Sequence, residues 1–299
     1  MGNLREIRRR IAGVRSTSKI TQAMKMVASA KLRRAQEAII AARPYANAMA
    51  SLIRHLMPRV DHDALPILAS RSEVRNVLLI VVMGDRGLCG AFNSNIIKQV
   101  QQLIDEKYSG LKKEESIKLV CIGKKSSQHF GKRHMRIVSN QPSLLSDLQF
   151  TKVSDLADSI VAGYLSNDYD RVDIVYNEFK SIIQQTIRVE QMLPVISDPD
   201  PMVTVGDKQY HQSTDYIYEP SESCLLETLI PRHLAFQLWR AVLESNAAEQ
   251  GARRSAMDTA TSNANDLIEL LQLEYNSARQ SSITTEILEV VSGANALQQ

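Results

Sequence analysis

The segment best placed to hold a ligand is Gly84-Asp85-Arg86-Gly87-Leu88-Cys89-Gly90, which follows an apolar run and precedes a helical pattern. Glycines in that setting let backbone N–H groups close on an anion at a helix N-terminus. Its spacing, GxxGxxG, matches neither the dinucleotide fingerprint GxGxxG nor the phosphate loop GxxxxGK(S/T). A tight structural turn carried by Asp85, Arg86, Gly87, Cys89 and Gly90 is therefore preferred over a ligand loop. Arg86 beside Cys89 could activate the thiol, but no histidine is near in sequence to serve as its base, which favours a structural cysteine. The six histidines (His55, His62, His129, His134, His211 and His233) fall at no metal-ligand spacing with each other or with Cys89, Cys121 and Cys224. No paired carboxylates and no Ser/His/Asp order stand out. Nothing points to a catalytic site, a metal or a cofactor.

Charge offers a different kind of chemistry. Residues 1–60 hold 13 Lys/Arg against Glu6 and Glu37, a net +11. Residues 221–299 hold five Arg against ten acids, a net −5, and residues 61–220 carry −3. A basic arm can grip nucleic acid, lie on an anionic membrane or face an acidic protein. Here Arg5, Arg8, Arg15, Lys19, Lys25, Lys31, Arg33, Arg34 and Arg43 interleave with an apolar seam, whereas a basic zipper separates the two. No aromatic residue before Tyr45 could stack on a base, and the seam is too rich in alanine for a membrane-surface helix. An acidic protein partner accounts for more, with a merely solvated face as the plain alternative. The opposite charge of the two ends also favours their pairing as antiparallel helices.

The elements that must carry these residues show in breakers and periodicity. From residue 3 to 57 the only Gly or Pro residues are Gly13 and Pro44, and between Arg232 and Ser292 there is only Gly251. Leu4, Ile7, Ile11, Val14, then Ala28, Leu32, Ala35, Ile39, Ala42, Ala46, Met49, Ile53 and Leu56 form a seam in steps of three and four. Between Ser18 and Lys25 the apolar residues move to Ile20, Met24 and Val27, so the seam is expected to shift face or break there. Ala260, Ala264, Leu267 and Leu271, then Ile283, Ile287, Val290, Ala294 and Leu297, repeat the steps at the other end, with a polar gap from Asn276 to Ser282. Helices of this length, roughly 80–110 Å at 1.5 Å per residue, cannot fit inside a compact domain.

The middle has another rhythm. Strands are expected at Asn76–Met83, Ile117–Ile122, Met135–Val138, Val172–Phe179 and Ile187–Leu193, with a last short one at Tyr216–Tyr218. Helices are expected at Asn93–Tyr108, Lys124–Gly131 and Val153–Leu165, and a hairpin link at Lys180–Gln185. This alternation implies an α/β class: a mostly parallel, Rossmann-like sheet over residues 61–220, flanked by a long antiparallel coiled coil of the N-terminal (1–60) and C-terminal (221–299) helices. The longest apolar run, Val77–Met83, is far too short to span a bilayer, and no apolar segment follows Arg8-Arg9-Arg10 to make a secretory signal. Three scattered cysteines imply a reducing compartment.

Three blocks give these elements a family. Ile20-Thr21-Gln22-Ala23-Met24-Lys25-Met26-Val27-Ala28-Ser29-Ala30-Lys31 closely resembles the N-terminal signature of F-type ATP synthase gamma subunits. Asp85-Arg86-Gly87-Leu88-Cys89-Gly90 is similar to that family's central motif. Ala248-Glu249-Gln250-Gly251-Ala252-Arg253, with Met257, Ala260, Thr261 and Asn263, and then Tyr275-Asn276, Arg279-Gln280, Ile283-Thr284 and Glu289 to Gly293, resembles its C-terminal signature. Two departures are local: Gly84 stands where a serine often precedes the central motif, and Gln22 where a lysine is common.

The resemblance implies a non-catalytic rotor shaft without cofactor. The terminal helices would turn inside a hexamer of alternating alpha and beta subunits, and the α/β domain would form a foot on the epsilon subunit and the c-subunit ring. Proton flow would rotate the shaft, driving the catalytic beta subunits through successive states of the proton-transporting ATPase. By position, Met24 and Lys25, and Arg279 and Gln280, are implied beta-subunit contacts; Tyr216, Tyr218 and Glu219 are implied foot contacts to the c ring or epsilon. Ile196 to Lys208 lacks the cysteine pair of the chloroplast redox switch. The start at Met1-Gly2-Asn3-Leu4 favours a bacterial protein, peripheral on the cytoplasmic face of the inner membrane. A nucleotide-binding α/β protein and a nucleic-acid-binding coiled coil are the competing readings, and no nucleic acid is expected.

Overall fold

The computed structural model describes residues 2–60, 66–68, 71, 73–111, 116–181, 185–195, 218–219 and 221–297. In chain order the main elements are α1 (Gly2–Leu56), β1 (Val77–Val82), α2 (Phe92–Glu106), β2 (Ile117–Ile122), α3 (Lys124–Gly131), β3 (Arg136–Gln141), α4 (Phe150–Leu165), β4 (Arg171–Phe179), β5 (Gln185–Leu193) and α5 (Glu222–Leu297). Two compact units result: Ala30–Ala252, and Met1–Ser29 together with Arg253–Gln299.

The larger unit is built on a five-stranded sheet of order β3-β2-β1-β4-β5. β1 pairs in parallel with β2 and β4, β2 in parallel with β3, and β4 antiparallel with β5. All six residues of β1 are buried, as expected of a central strand covered on both faces. Its alternation sends Leu78, Ile80 and Val82 into one core and Val77, Leu79 and Val81 into another. The first core is closed by α4, by Met49, Ile53 and Leu56 of α1 and by Leu226–Val242 of α5; the second by Phe92, Ile96, Val100 and Leu103 of α2 and Phe130 of α3. A third cluster joins Leu32, Ala35 and Ile39 of α1 to Leu243 and Ala247 of α5.

β2 and α3 fall on their expected bounds. The strand expected at Met135–Val138 is β3; it runs three residues past Val138 and carries the register shift opposite Leu119/Val120, its polar second half, Ser139–Gln141, having concealed where it ends. Tyr216 and Ile217 lie outside the described residues, and Tyr218 belongs to no strand. Helix α5 begins ten residues before Arg232 and continues through Pro231, as α1 does through Pro44. Each proline removes one backbone hydrogen bond to the residue four back, and those residues, Glu227 and Ile40, are exposed, so water can satisfy the freed carbonyls. The Ser221 hydroxyl accepts the Cys224 N–H at 3.3 Å, an N-cap that starts α5.

In the smaller unit, the ends of α1 and α5 run antiparallel. Arg8 meets Tyr275, Ser18 meets Asn265, Thr21 meets Thr261 and Lys25 meets Asp258, so partners ascend on one helix as they descend on the other.

Candidate functional site

The helix pair of the smaller unit changes chemistry along its length. Between Ser18 and Lys25 the seam keeps its face and becomes polar, rather than shifting as the apolar pattern predicts. Ser18 and Thr21 are buried, whereas Ile20 and Val27 are each 57% exposed. The reason is reciprocal hydrogen bonding: Ser18 Oγ donates to Asn265 Oδ1 at 2.9 Å, and the Thr21 and Thr261 hydroxyls share a bond of 2.7 Å. Polar groups placed opposite each other are satisfied without water, and they hold one axial register. At the outer end the Arg8 guanidinium donates to the Tyr275 hydroxyl at 2.6 Å and lies 5.6 Å from its ring centroid.

Lys25 ends this ladder by pairing with Asp258 at 2.6 Å, while its neighbour Met24 is half-buried and Met26 is 63% exposed. Arg279 and Gln280 are exposed on α5, one helical face of which also shows Leu270 and Leu273 to solvent. They lie 21 residues beyond Asp258, about 30 Å along the helix. The two expected contact pairs are thus separate places on one helix pair. Past Ser282, Ile283, Ile287, Leu288, Val290 and Val291 are all exposed. Five exposed apolar side chains within nine residues form a patch of the kind that interaction surfaces carry.

In the larger unit, Gly84–Gly90 forms a turn held by its own groups. The Gly84 N–H donates to Asn93 Oδ1 at 3.0 Å, and Asn93 Nδ2 donates to the Cys89 sulfur at 3.3 Å and the Arg86 carbonyl at 3.4 Å. Asp85 accepts the Lys124 N–H at 3.1 Å, tying the turn to the next strand–helix corner. Leu88 and Gly90 have φ of 61° and 58°. Cys89 is buried. A doubly wound sheet binds ligands in the crevice at the carboxyl ends of its strands, where the strand order reverses, here between β1 and β4. Protein fills that crevice: Ser245 Oγ donates to the Val82 carbonyl at 3.4 Å, and Gln185 Nε2 donates to the Ala248 carbonyl at 3.0 Å. A Cβ on Gly84 would stand 2.9 Å from Glu249 Cδ, so the glycine here admits the α5 side chain rather than an anion.

Of the three residues expected at the foot, Tyr216 lies outside the described residues. Tyr218 is half-buried against the first core, with the Arg59 guanidinium 5.4 Å from its ring, and Glu219 is exposed.

Sequence reasoning missed two ionic clusters. Asp173 on β4, fully buried, accepts from Lys107 and Arg171, each at 3.0 Å, and from the Tyr108 hydroxyl. Burial, with Asp173 adjacent, raises the Tyr108 pKa. The second cluster joins Tyr176 and Glu178 of β4, Arg188 and Glu190 of β5, and Arg240 and Glu244 of α5. Tyr176 donates to Glu190 Oε1 at 2.6 Å, Arg240 donates to Glu190 Oε2, and Arg188 donates to Glu178 at 2.9 Å. The signal available was the period of two on facing strands combined with the four-residue step on a helix; nothing in sequence joined them.

The family model described as ATP synthase matches residues 3–297. An ATP synthase gamma chain of Chlorobaculum tepidum is 46% identical over 299 residues, covering 100% of both chains. One of Chloroherpeton thalassium is 46% identical over 304 residues, covering 100% of this chain and 99% of its own. Among solved structures, a chain of the Euglena gracilis mitochondrial ATP synthase, from an assembly of OSCP, F1 and c-ring, aligns with a TM-score of 0.66 at 20% identity, covering 99% of this chain and 95% of that one. A chain from the central stalk and c-ring of the Tetrahymena thermophila mitochondrial enzyme aligns at 0.61 and 23% identity, covering 81% and 99%. These two are similar in fold.

Proposed function

The chain belongs to the ATP synthase gamma-chain family, and from that premise we propose that it is the central rotor shaft of an F-type, proton-translocating ATP synthase. It makes no chemical bond itself. It turns with the c-subunit ring and presents different faces to three catalytic beta subunits, biasing each one's conformational equilibrium by differential contact. Its partners are the alpha and beta subunits, the epsilon subunit and the c ring. The observation that carries this reading is the end of α5, where, beyond a polar-registered helix pair, Ile283, Ile287, Leu288, Val290 and Val291 are exposed among the described residues. An apolar face of this size in water fits burial against surrounding subunits.

Residues 1–60 and 221–299 form the shaft in this reading, and residues 61–220 the foot. Met24 and Lys25 at one level, and Arg279 and Gln280 about 30 Å further along α5, are the beta-subunit contacts. Lys25 also braces the pair through Asp258, so its contact to beta is made from a side chain 35% exposed. Tyr216, Tyr218 and Glu219 serve the foot, and Asp85–Gly90 is a structural turn that seats α5. No described helix is long and apolar enough to cross a membrane. In this reading the protein works peripherally, through its complex, on the cytoplasmic face of a bacterial inner membrane. Co-expression with alpha and beta subunits tests the reading: an ATP-hydrolysing assembly containing this chain is expected. Failure to assemble with them would refute it.

A further inference from the structure

Glu244 sits on the inner side of α5, four residues and one turn after Arg240. Its Oε2 is buried and has no hydrogen-bond partner, and the same is true of Arg240 Nε. Arg240 meanwhile spends its Nη2 on Glu190 of β5, which also accepts from Tyr176. One largely enclosed guanidinium, its side chain 12% exposed, therefore stands between two carboxylates on different elements. It bonds the one on the sheet and leaves the one on its own helix unused.

We propose that Arg240 is a shared cation, latching α5 to β5 through Glu190 when Glu244 is neutral and turning to Glu244 when that carboxylate ionises. A helix pair at a four-residue step is close enough to bond without moving the backbone, so the exchange needs only side-chain rotation. Nε and Nη2 belong to one rigid planar group, so turning it to Glu244 swings Nη2 away from Glu190, and satisfying both orphaned atoms removes the cation that holds Glu190 and the sheet. The latch and its release are thus alternative uses of the same charge.

The groups facing Glu244 are Arg240 on α5, Tyr176 and Glu178 on β4, and Arg188 and Glu190 on β5. Lys180 reaches the rim of the cluster, 3.8 Å from Glu178. Burial is the largest influence on Glu244; Arg240 and Arg188 oppose it, and Glu178 and Glu190 reinforce it, leaving the carboxyl pushed up to about 7. The latched state therefore holds this proton more tightly than any released state in which Glu244 meets Arg240 or water. Raising the pH through about 7 favours release.

The test is hydrogen exchange of the full chain at pH 6 and pH 8, with rates corrected to protection factors, read on peptides covering Gln185–Leu193 and residues 237–247. Protection of β5 is expected to fall about tenfold from pH 6 to pH 8, as a carboxyl titrating near 7 implies. Glu244→Gln is expected to keep the pH 6 protection at both values, and Glu190→Gln to give low protection at both. A flat profile in the unmodified chain, a pH dependence that survives in Glu244→Gln, or full pH 6 protection in Glu190→Gln would each overturn the proposal.

Discussion

Replacing Thr21 and Thr261 by valine, singly and together, probes the polar stretch of the terminal helix pair. The two hydroxyls lie 2.7 Å apart, and each also has a carbonyl of its own helix in reach: Ser18 at 3.0 Å for Thr21, and Met257 at 2.7 Å for Thr261. Each hydroxyl has one proton, so only one can donate across the interface. The shorter contact to Met257 assigns Thr261 to its own carbonyl and makes Thr21 the donor across. Valine at either position deletes the shared bond and leaves a buried hydroxyl opposite a methyl, a cost of about 0.5–1.5 kcal/mol. The double variant removes both polar groups from matching positions and is expected to be nearly neutral, because apolar groups of the same shape then meet. The coupling between the sites is therefore about 1–3 kcal/mol in magnitude. Native-state hydrogen exchange of residues 14–29 and 253–268 in the full chain reads this as local opening. Each single variant should raise exchange roughly 2- to 12-fold, and the double variant should return to within about twofold of the parent. If the two single effects simply add in the double variant, the hydroxyls do not share a bond and the account of this seam fails.

Three other outcomes are expected. A Cβ on Gly123, at φ +92°, would lie 2.0 Å from the Met83 carbonyl oxygen, so Gly123→Ala should lower the melting temperature far more than Gly84→Ala, where the nearest atom belongs to the movable Glu249 side chain. Equal losses by calorimetry would mean the two corners yield alike. Burial, with Arg240 near, holds the His233 pKa at about 4 against 6.5, so the folded chain keeps it neutral while the unfolded chain takes up a proton; stability should decline as pH falls from 6.5 to about 4, and His233→Gln should flatten that decline in urea titrations. Arg279→Ala should leave the melting temperature unchanged, since Arg279 is exposed, yet reduce proton-driven ATP synthesis by the assembled complex. Unimpaired synthesis would remove Arg279 from the coupling contacts.

Much of the fold is legible without coordinates because its signals are local. β1 is six apolar residues in a row, β2 and α3 are bounded by their own residues, and the terminal helices lack breakers for dozens of positions. Where local signal fails, a distant partner has supplied what the segment lacks. β3 pairs with β2 although half of it is polar, and α5 starts before Pro231 because Leu226 and Ile230 are buried in the first core. The polar interval from Ser18 to Lys25 reads as a break only while Asn265, Thr261 and Asp258 are unseen.

By itself, the sequence determined the family, through three ordered signature blocks, and the secondary elements, through periodicity that short-range sterics and solvent enforce. It also carried the charge asymmetry, +11 against −5, that suits two helices running in opposite directions. Only the tertiary structure decided what each polar residue meets. It set Lys25 against Asp258, filled the crevice behind Gly84 with α5, and gathered Tyr176, Glu178, Arg188, Glu190, Arg240 and Glu244 from three elements into one half-buried cluster. The physical reason is that a hydrogen bond or ion pair depends on separation in space. Between residues fifty or two hundred positions apart, packing alone fixes that distance.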